Sequence, residues 1–254
     1  MFQVFTDMQN NIPAIAIIII VFVFIASPWV LNKIKNKQGH HKLNTATDAD
    51  MEILDQPISF GYKCMWFAIK SVHAEELIKI LGLSNIKPCN WNIGVESAYE
   101  DDVYITPPIN GWTIAIGRGL PYGDTKEGIE FVKSILQKLS RDYGEAQFFC
   151  THRVTEYHCW IKADEGNIQR VYSYLGESGE NIMIEGEATD FEKTLHLINT
   201  FSDEAKEKNY FERADINLPY EETVMKVAEN WSINPSTLES RNDIMPSLGL
   251  LGER

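Results

Sequence analysis

The stretch Cys150-Thr-His-Arg-Val-Thr-Glu-Tyr-His-Cys-Trp160 gathers two thiols, two imidazoles and a carboxylate within one turn-like segment. A loop at Arg153-Val154-Thr155 would set His152 against Glu156, Cys150 against His158 and Phe148 against Trp160, with cross-strand Cβ atoms ~5 Å apart. Cys150, His152, Glu156 and His158 are therefore the candidate catalytic residues. A thiol beside a histidine is the minimum for nucleophilic chemistry, and two histidines with a carboxylate could hold a metal. A strand running straight through would instead part His152 and His158 by ~20 Å. Polar side chains are also ordinary on the half-solvated face of a hairpin. The sequence supplies no oxyanion site, so it implies neither a cofactor nor a defined metal site.

Two further segments invite a chemical reading. Gly117-Arg-Gly119-Leu-Pro121-Tyr-Gly123 follows a strand and precedes a helix, the arrangement that cradles phosphates on backbone N–H groups. The spacing is not that of a dinucleotide loop, Pro121 lacks a donor, and Asp124 and Glu127 would repel an anion. Residues 224–241 resemble a helix-turn-helix, with Val227-Ala228, Ile233 and Pro235-Ser-Thr-Leu238 at the expected places. Trp231-Ser232 stands where that motif has a glycine-centred turn, and few cations flank the second helix. Asn234-Pro235 suits equally well a helix that closes the core.

The elements that must position these residues read as an α+β fold of antiparallel sheet with packed helices. Phe60–Lys70 is β-rich, and Ser71 can cap a helix over Ala74–Leu81 that ends at Gly82. Asn90–Ala98 and Val103–Thr106 read as strands, and Asn110-Gly111 turns the chain into Trp112–Ile116. Asp124 with Glu127 predicts a capping box for a helix whose Ile129, Val132, Ile135, Leu136 and Leu139 share one face. Strands over Ala146–Thr151, Glu156–Ala163, Ile168–Leu175 and Asn181–Glu185, joined by short turns, make an antiparallel meander. Thr189 with Glu192 caps another helix, the charged stretch 202–213 follows, and a last helix spans Glu221–Trp231. This order would suit two similar halves of helix plus sheet, though no repeat is clear.

Ahead of this domain, Ile12–Leu31 (IPAIAIIIIVFVFIASPWVL) carries no charge and is long enough at ~1.5 Å per residue to cross a ~30 Å hydrocarbon core. It reads as a transmembrane helix. A basic n-region is missing and Pro28 follows Ala26-Ser27, both against a cleaved signal peptide. Lys33, Lys35, Lys37 and Lys42 follow the span, while residues 1–11 hold only Asp7. That bias predicts a short exported N-terminus, a basic flank and polar tether over 32–56, and a domain over 57–254 on the cytoplasmic side of a bacterial inner membrane. Setting those four lysines and Asp7 aside leaves 19 basic and 35 acidic residues, a formal charge near −16 for the domain together with the acids of its tether. Such a domain repels nucleic acid and attracts basic partners. Cys64, Cys89, Cys150 and Cys159 are widely spaced without a CxxC pair, which suits reduced thiols.

Gly111-Trp-Thr-Ile-Ala-Ile-Gly117, Leu120-Pro121, Tyr143–Gln147, Thr151-His-Arg153, Glu156-Tyr-His158, Tyr172-x-Tyr-x-Gly-Glu177 and Trp231-Ser-Ile-x-Pro235 together resemble a group of bacterial single-domain proteins. The group is loosely associated with toxin–immunity neighbourhoods. The resemblance implies a bacterial domain of its own type and carries over no activity, cofactor or catalytic residue. The leading expectation is a membrane-anchored protein-binding module, an immunity factor capturing a basic toxin through Glu156, Tyr157, Trp160, Tyr172, Tyr174 and Glu177, since aromatic anchors with charged rims make tight interfaces. A hydrolase-like or metal-binding enzyme using the cysteine–histidine cluster is the first alternative. A membrane-bound regulator reading DNA through residues 224–241 is the second.

Overall fold

The computed structural model describes residues 47–254. The expected exported terminus, transmembrane helix and basic flank lie outside the described residues, and no described helix is long and apolar enough to cross a membrane. Thr47–Arg254 forms one compact α+β unit.

Nine strands make one sheet: β1 Met65–Ile69, β2 Ser84–Cys89, β3 Val103–Ile105, β4 Thr113–Ile116, β5 Glu145–His152, β6 Tyr157–Asp164, β7 Asn167–Leu175, β8 Glu180–Glu185 and β9 Gly249–Glu253. Their spatial order is β2-β9-β3-β4-β1-β5-β6-β7-β8, and every pairing is antiparallel. The helices are α1 Asp48–Met51, α2 Glu75–Leu81, α3 Trp91–Ala98, α4 Lys126–Tyr143, α5 Asp190–Thr194 and α6 Glu221–Trp231.

Because side chains alternate along a strand, the sheet buries a core on each face. On one face Phe67, Ile69, Phe148, Cys150 and Ile161 lie under α4, whose Ile129, Val132, Ile135, Leu136 and Leu139 form the apolar stripe its periodicity predicts. On the other face Trp66, Phe149, Trp160 and Tyr172 are covered by α3, α6 and the chain that links β8 to α6. The meander β5–β8 and α6 form where the patterning places them.

Several elements differ from expectation for identifiable reasons. Trp91, Ile93 and Val95 alternate as a strand would, yet Trp91, Val95 and Ala98 also fit a helical face, and Asn90 caps that helix by accepting from the Ile93 N–H at 3.0 Å. Strand β2 contains Pro88, tolerated because β2 is an outermost strand of the sheet. Strand β9 (GLLGE) carries two glycines and almost no β-branched character, so its pairing with β2 and β3 comes from tertiary context. The cap of α4 is Thr125, accepting from the Gly128 N–H at 3.1 Å, one residue beyond the expected Asp124. Ser71 bonds His73 instead of capping α2. The folded unit begins before residue 57: Asp55 accepts from the Trp91 and Asn92 N–H groups, and the Asn90 side chain donates to Asp50 and Ile53 carbonyls.

Candidate functional site

The β5–β6 loop has four residues, Arg153–Glu156, not three. Glu156 adopts φ +53°, a left-handed conformation that lets the longer turn close. The register is therefore His152↔Tyr157, Thr151↔His158, Cys150↔Cys159 and Phe149↔Trp160. A shift of one residue sends each side chain to the opposite face. Cys150 lies in the core beneath α4, while His158 lies on the α6 face with Trp160, so the expected Cys150–His158 pair does not form. Burial drives the Cys150 thiol pKa well up, and that of Cys159 to about 12, so neither is a thiolate at neutral pH. His152 ends β5 half-buried, its Nδ1 3.2 Å from the Thr155 hydroxyl, and Glu156 stands exposed. Among the described residues no His, Cys, Asp and Glu set is arranged to hold a metal.

A different row occupies the α6 face. Thr151 Oγ1 and His158 Nδ1 are 3.1 Å apart and buried, with Tyr174 opposite His158 on β7 and Cys64 beside Thr151, whose N–H donates to the Cys64 carbonyl. Burial lowers the His158 pKa to about 4 against the opposing pull of Glu222, so the imidazole is neutral at physiological pH. Its Nε2 has no hydrogen-bond partner, and neither does Glu221 Oε1 at the start of α6. Glu221 Oε2 receives Arg153 Nη2 from the hairpin loop at 2.7 Å. A hydroxyl beside a neutral imidazole is a nucleophile–base pair in outline, but both groups are sealed from solvent. The start of α6 is pinned to the β5–β6 hairpin by the Arg153–Glu221 ion pair beside this row.

The aromatic residues expected to touch a partner are internal. Tyr157, Trp160, Tyr172 and Tyr174 are all buried. The Tyr157 hydroxyl donates to the Gly123 carbonyl, Trp160 Nε1 donates to Glu192 at 2.8 Å, and the Tyr172 hydroxyl donates to the Ile198 carbonyl at 2.9 Å. Only Glu156 and Glu177 of that set reach the surface. They belong to an end of the sheet that other residues complete. The β5–β6 and β7–β8 loops join there through bonds from the Gly176 N–H to the Glu156 carbonyl and from the Glu177 N–H to the Thr155 carbonyl. A Cβ on Gly176 would sit 2.3 Å from that of Glu156, so the approach requires glycine. Arg153 ties α6 to the same end, and paired bonds between Asn181 and Thr200 bring Phe201 to it. Val154 is 80% exposed, Phe201 57% and Tyr220 54%. Glu156, Glu177, Glu180 and Glu222, in the same two loops, the start of β8 and the start of α6, are all exposed. Burial first, then nearby Glu156 and Tyr220, raises the Tyr174 hydroxyl pKa just below this surface. Alternation alone does not tell inward from outward aromatics on the strands; Val154 is marked in the sequence by its place in the hairpin loop, and nothing local marks Phe201 or Tyr220.

The other two motifs serve packing. Added Cβ atoms at Gly117 and Gly119 would meet the carbonyl oxygens of Asp102 and Asp101 at 2.1 and 2.4 Å, so those glycines admit a neighbouring backbone. Helix α6 buries Val224, Val227, Ala228 and Trp231, and residues 235–240 form a 3-10 turn with Pro235 and Leu238 buried, not a second helix. Comparison with protein-family models, curated proteins and solved structures returns no match.

Proposed function

We propose that this chain is a protein-binding module of the bacterial inner membrane, anchored once by residues 12–31 with its acidic domain in the cytoplasm, and that it neutralises a basic toxin. The observation that carries this reading is the end of the sheet where Val154, Phe201 and Tyr220 stand exposed among Glu156, Glu177, Glu180 and Glu222. Apolar anchors inside a charged rim are what compact protein interfaces use, and an acidic rim speeds capture of a basic partner. The formal charge near −16 of the domain with its tether adds long-range steering of the same sign. The backbone bonds that join the two loops, with Arg153 bound to Glu221, hold the loops and α6 in one arrangement before any partner arrives.

Co-expression with the toxin encoded beside this gene tests the reading. Wild-type protein should restore growth, and Val154→Glu with Tyr220→Ala should weaken binding to that toxin by at least about tenfold, roughly 1.4 kcal/mol. Growth inhibition that persists with every neighbouring toxin would sink the proposal. A C-terminal reporter active only outside the cytoplasm would remove the membrane address.

A further inference from the structure

Between β8 and the chain that follows it lies a cavity of about 400 Å³. Its floor is Tyr172, held by stacking on Trp160 at 4.4 Å and by its hydroxyl bond to Ile198. Ile184 and Leu197 provide apolar lining. Arg170 also lines the cavity, although the residue is only 6% exposed. Its Nε donates to Glu192 Oε1 at 2.8 Å, and its Nη1 donates to the Gly186 carbonyl at 2.9 Å. Glu192 is fully engaged: Oε1 also receives the Trp160 indole, and Oε2 receives the Thr189 N–H and hydroxyl. The carboxylate therefore fixes the guanidinium, which also lies 5.8 Å from the centre of the Tyr172 ring, while Arg170 Nη2 has no hydrogen-bond partner among the described residues.

Two other polar groups line the cavity. Asn199 Oδ1 accepts from the Phe201 N–H, leaving its Nδ2 without a partner among the described residues. The His196 ring makes no hydrogen bond among the described residues but interacts electrostatically with Asp215, and its backbone is held at φ +47°, a conformation that non-glycine residues keep only when surroundings impose it. An adjoining cavity of about 260 Å³ shares His196, Leu197 and Asn199 but differs in charge. Its arginine, Arg213, is bound by both oxygens of Asp215 and by Glu204, so no guanidinium edge is left for a ligand. Glu187 and Lys193 also line the first cavity and offset each other in charge, so what sets it apart is the guanidinium edge of Arg170 left open.

We infer that this cavity binds a small carboxylate that carries an amide and a short apolar side chain. The carboxylate meets Arg170 Nη2, a charge-assisted bond of the kind arginine makes best. The apolar part lies over Tyr172 beside Ile184 and Leu197, and the amide oxygen accepts from Asn199 Nδ2. The volume falls within the range of small-molecule sites. The cavity adjoins the toxin-facing end through Asn199, which accepts from the Phe201 N–H, but its ligand chemistry does not rest on the toxin reading.

Titration of the ¹⁵N-labelled full chain in detergent micelles with N-acetyl-leucine tests the site, with N-acetyl-leucinamide as the uncharged control. The acid should shift amide signals of residues 184–199 saturably, and the amide should bind at least about tenfold more weakly. Ala188→Trp, which fills the cavity from its lining and leaves Arg170 and Glu192 intact, should abolish the shifts while the remaining spectrum stays that of the wild type. No saturable shift up to about 20 mM, equal binding of acid and amide, or shifts centred elsewhere would each overturn the inference, and these comparisons need no variant.

Discussion

On one face of the sheet a single 18-residue helix, α4, lays an unbroken apolar stripe over Phe67, Phe148, Cys150 and Ile161. On the other, short helices and irregular chain cover Trp66, Phe149, Trp160 and Tyr172, and polar atoms are buried along with them. The indole N–H groups of Trp66, Trp91 and Trp231, His158 Nε2 and Glu221 Oε1 all lack partners there. A buried polar atom left unpaired opposes folding, and the α4 face carries fewer of them, the Tyr122 and Ser173 hydroxyls, beneath a larger apolar stripe. The comparison teaches a division of labour: α4 supplies rigidity, and the opposite face spends part of that stability on the arrangement that places the acidic end and the Arg170 cavity.

Leu136→Ala should separate the faces most sharply. It removes a fully buried side chain from the α4 stripe and should lower stability by about 2–5 kcal/mol in urea unfolding. A loss below 1 kcal/mol would mean that α4 is not the chief support.

The next effect belongs to His158. Its pKa is about 4 in the fold against an ordinary 6.5, so the unfolded chain takes up a proton first as pH falls. Its stability is intact above pH 6.5, declines as pH drops towards 4, and levels off below, a total of about 3 kcal/mol. His158→Gln should lose that part of the pH slope, which paired urea titrations at pH 7 and pH 4.5 would measure. Identical slopes in variant and wild type would contradict a neutral, buried imidazole.

Thiol chemistry gives a smaller but cleaner contrast. Burial raises Cys64 to about 12 and Cys89 to about 11, and pushes Cys150 and Cys159 upward as well. Iodoacetamide at pH 7 should leave all four unmodified until urea unfolds the chain, as intact-mass spectrometry would show. Rapid native labelling of Cys150 would reopen the nucleophile reading. The smallest effect is expected at the acidic end. Val154→Glu and Tyr220→Ala should change stability by less than about 0.5 kcal/mol, because both side chains already face solvent.

Sequence patterning located the β5–β8 meander and α6 because long alternating or helical runs leave one satisfactory burial. It misread Asn90–Ala98 because Trp91 and Val95 satisfy both periods, with Ile93 completing the alternation and Ala98 the helical face, and it passed over β2 and β9 because Pro88, Gly249 and Gly252 depress local strand character. The site failed on a single residue. Whether Glu156 belongs to the loop or to β6 decides which face His158 takes, and only its left-handed backbone, fixed by contact with Gly176, answers that. Arg170 and Glu192 were illegible as a pair, since β7 and α5 meet only once the whole meander has formed.

The two outermost strands have a consequence for self-association. An open row of backbone donors and acceptors is a template on which another chain can grow a fibre. Here β2 lacks a donor at Pro88, and β8 carries Glu180 and Glu185, with Thr200 already bonded to Asn181 near its start. Copies gathered at high density therefore meet edges that resist zipping together, and each remains free for its own encounter.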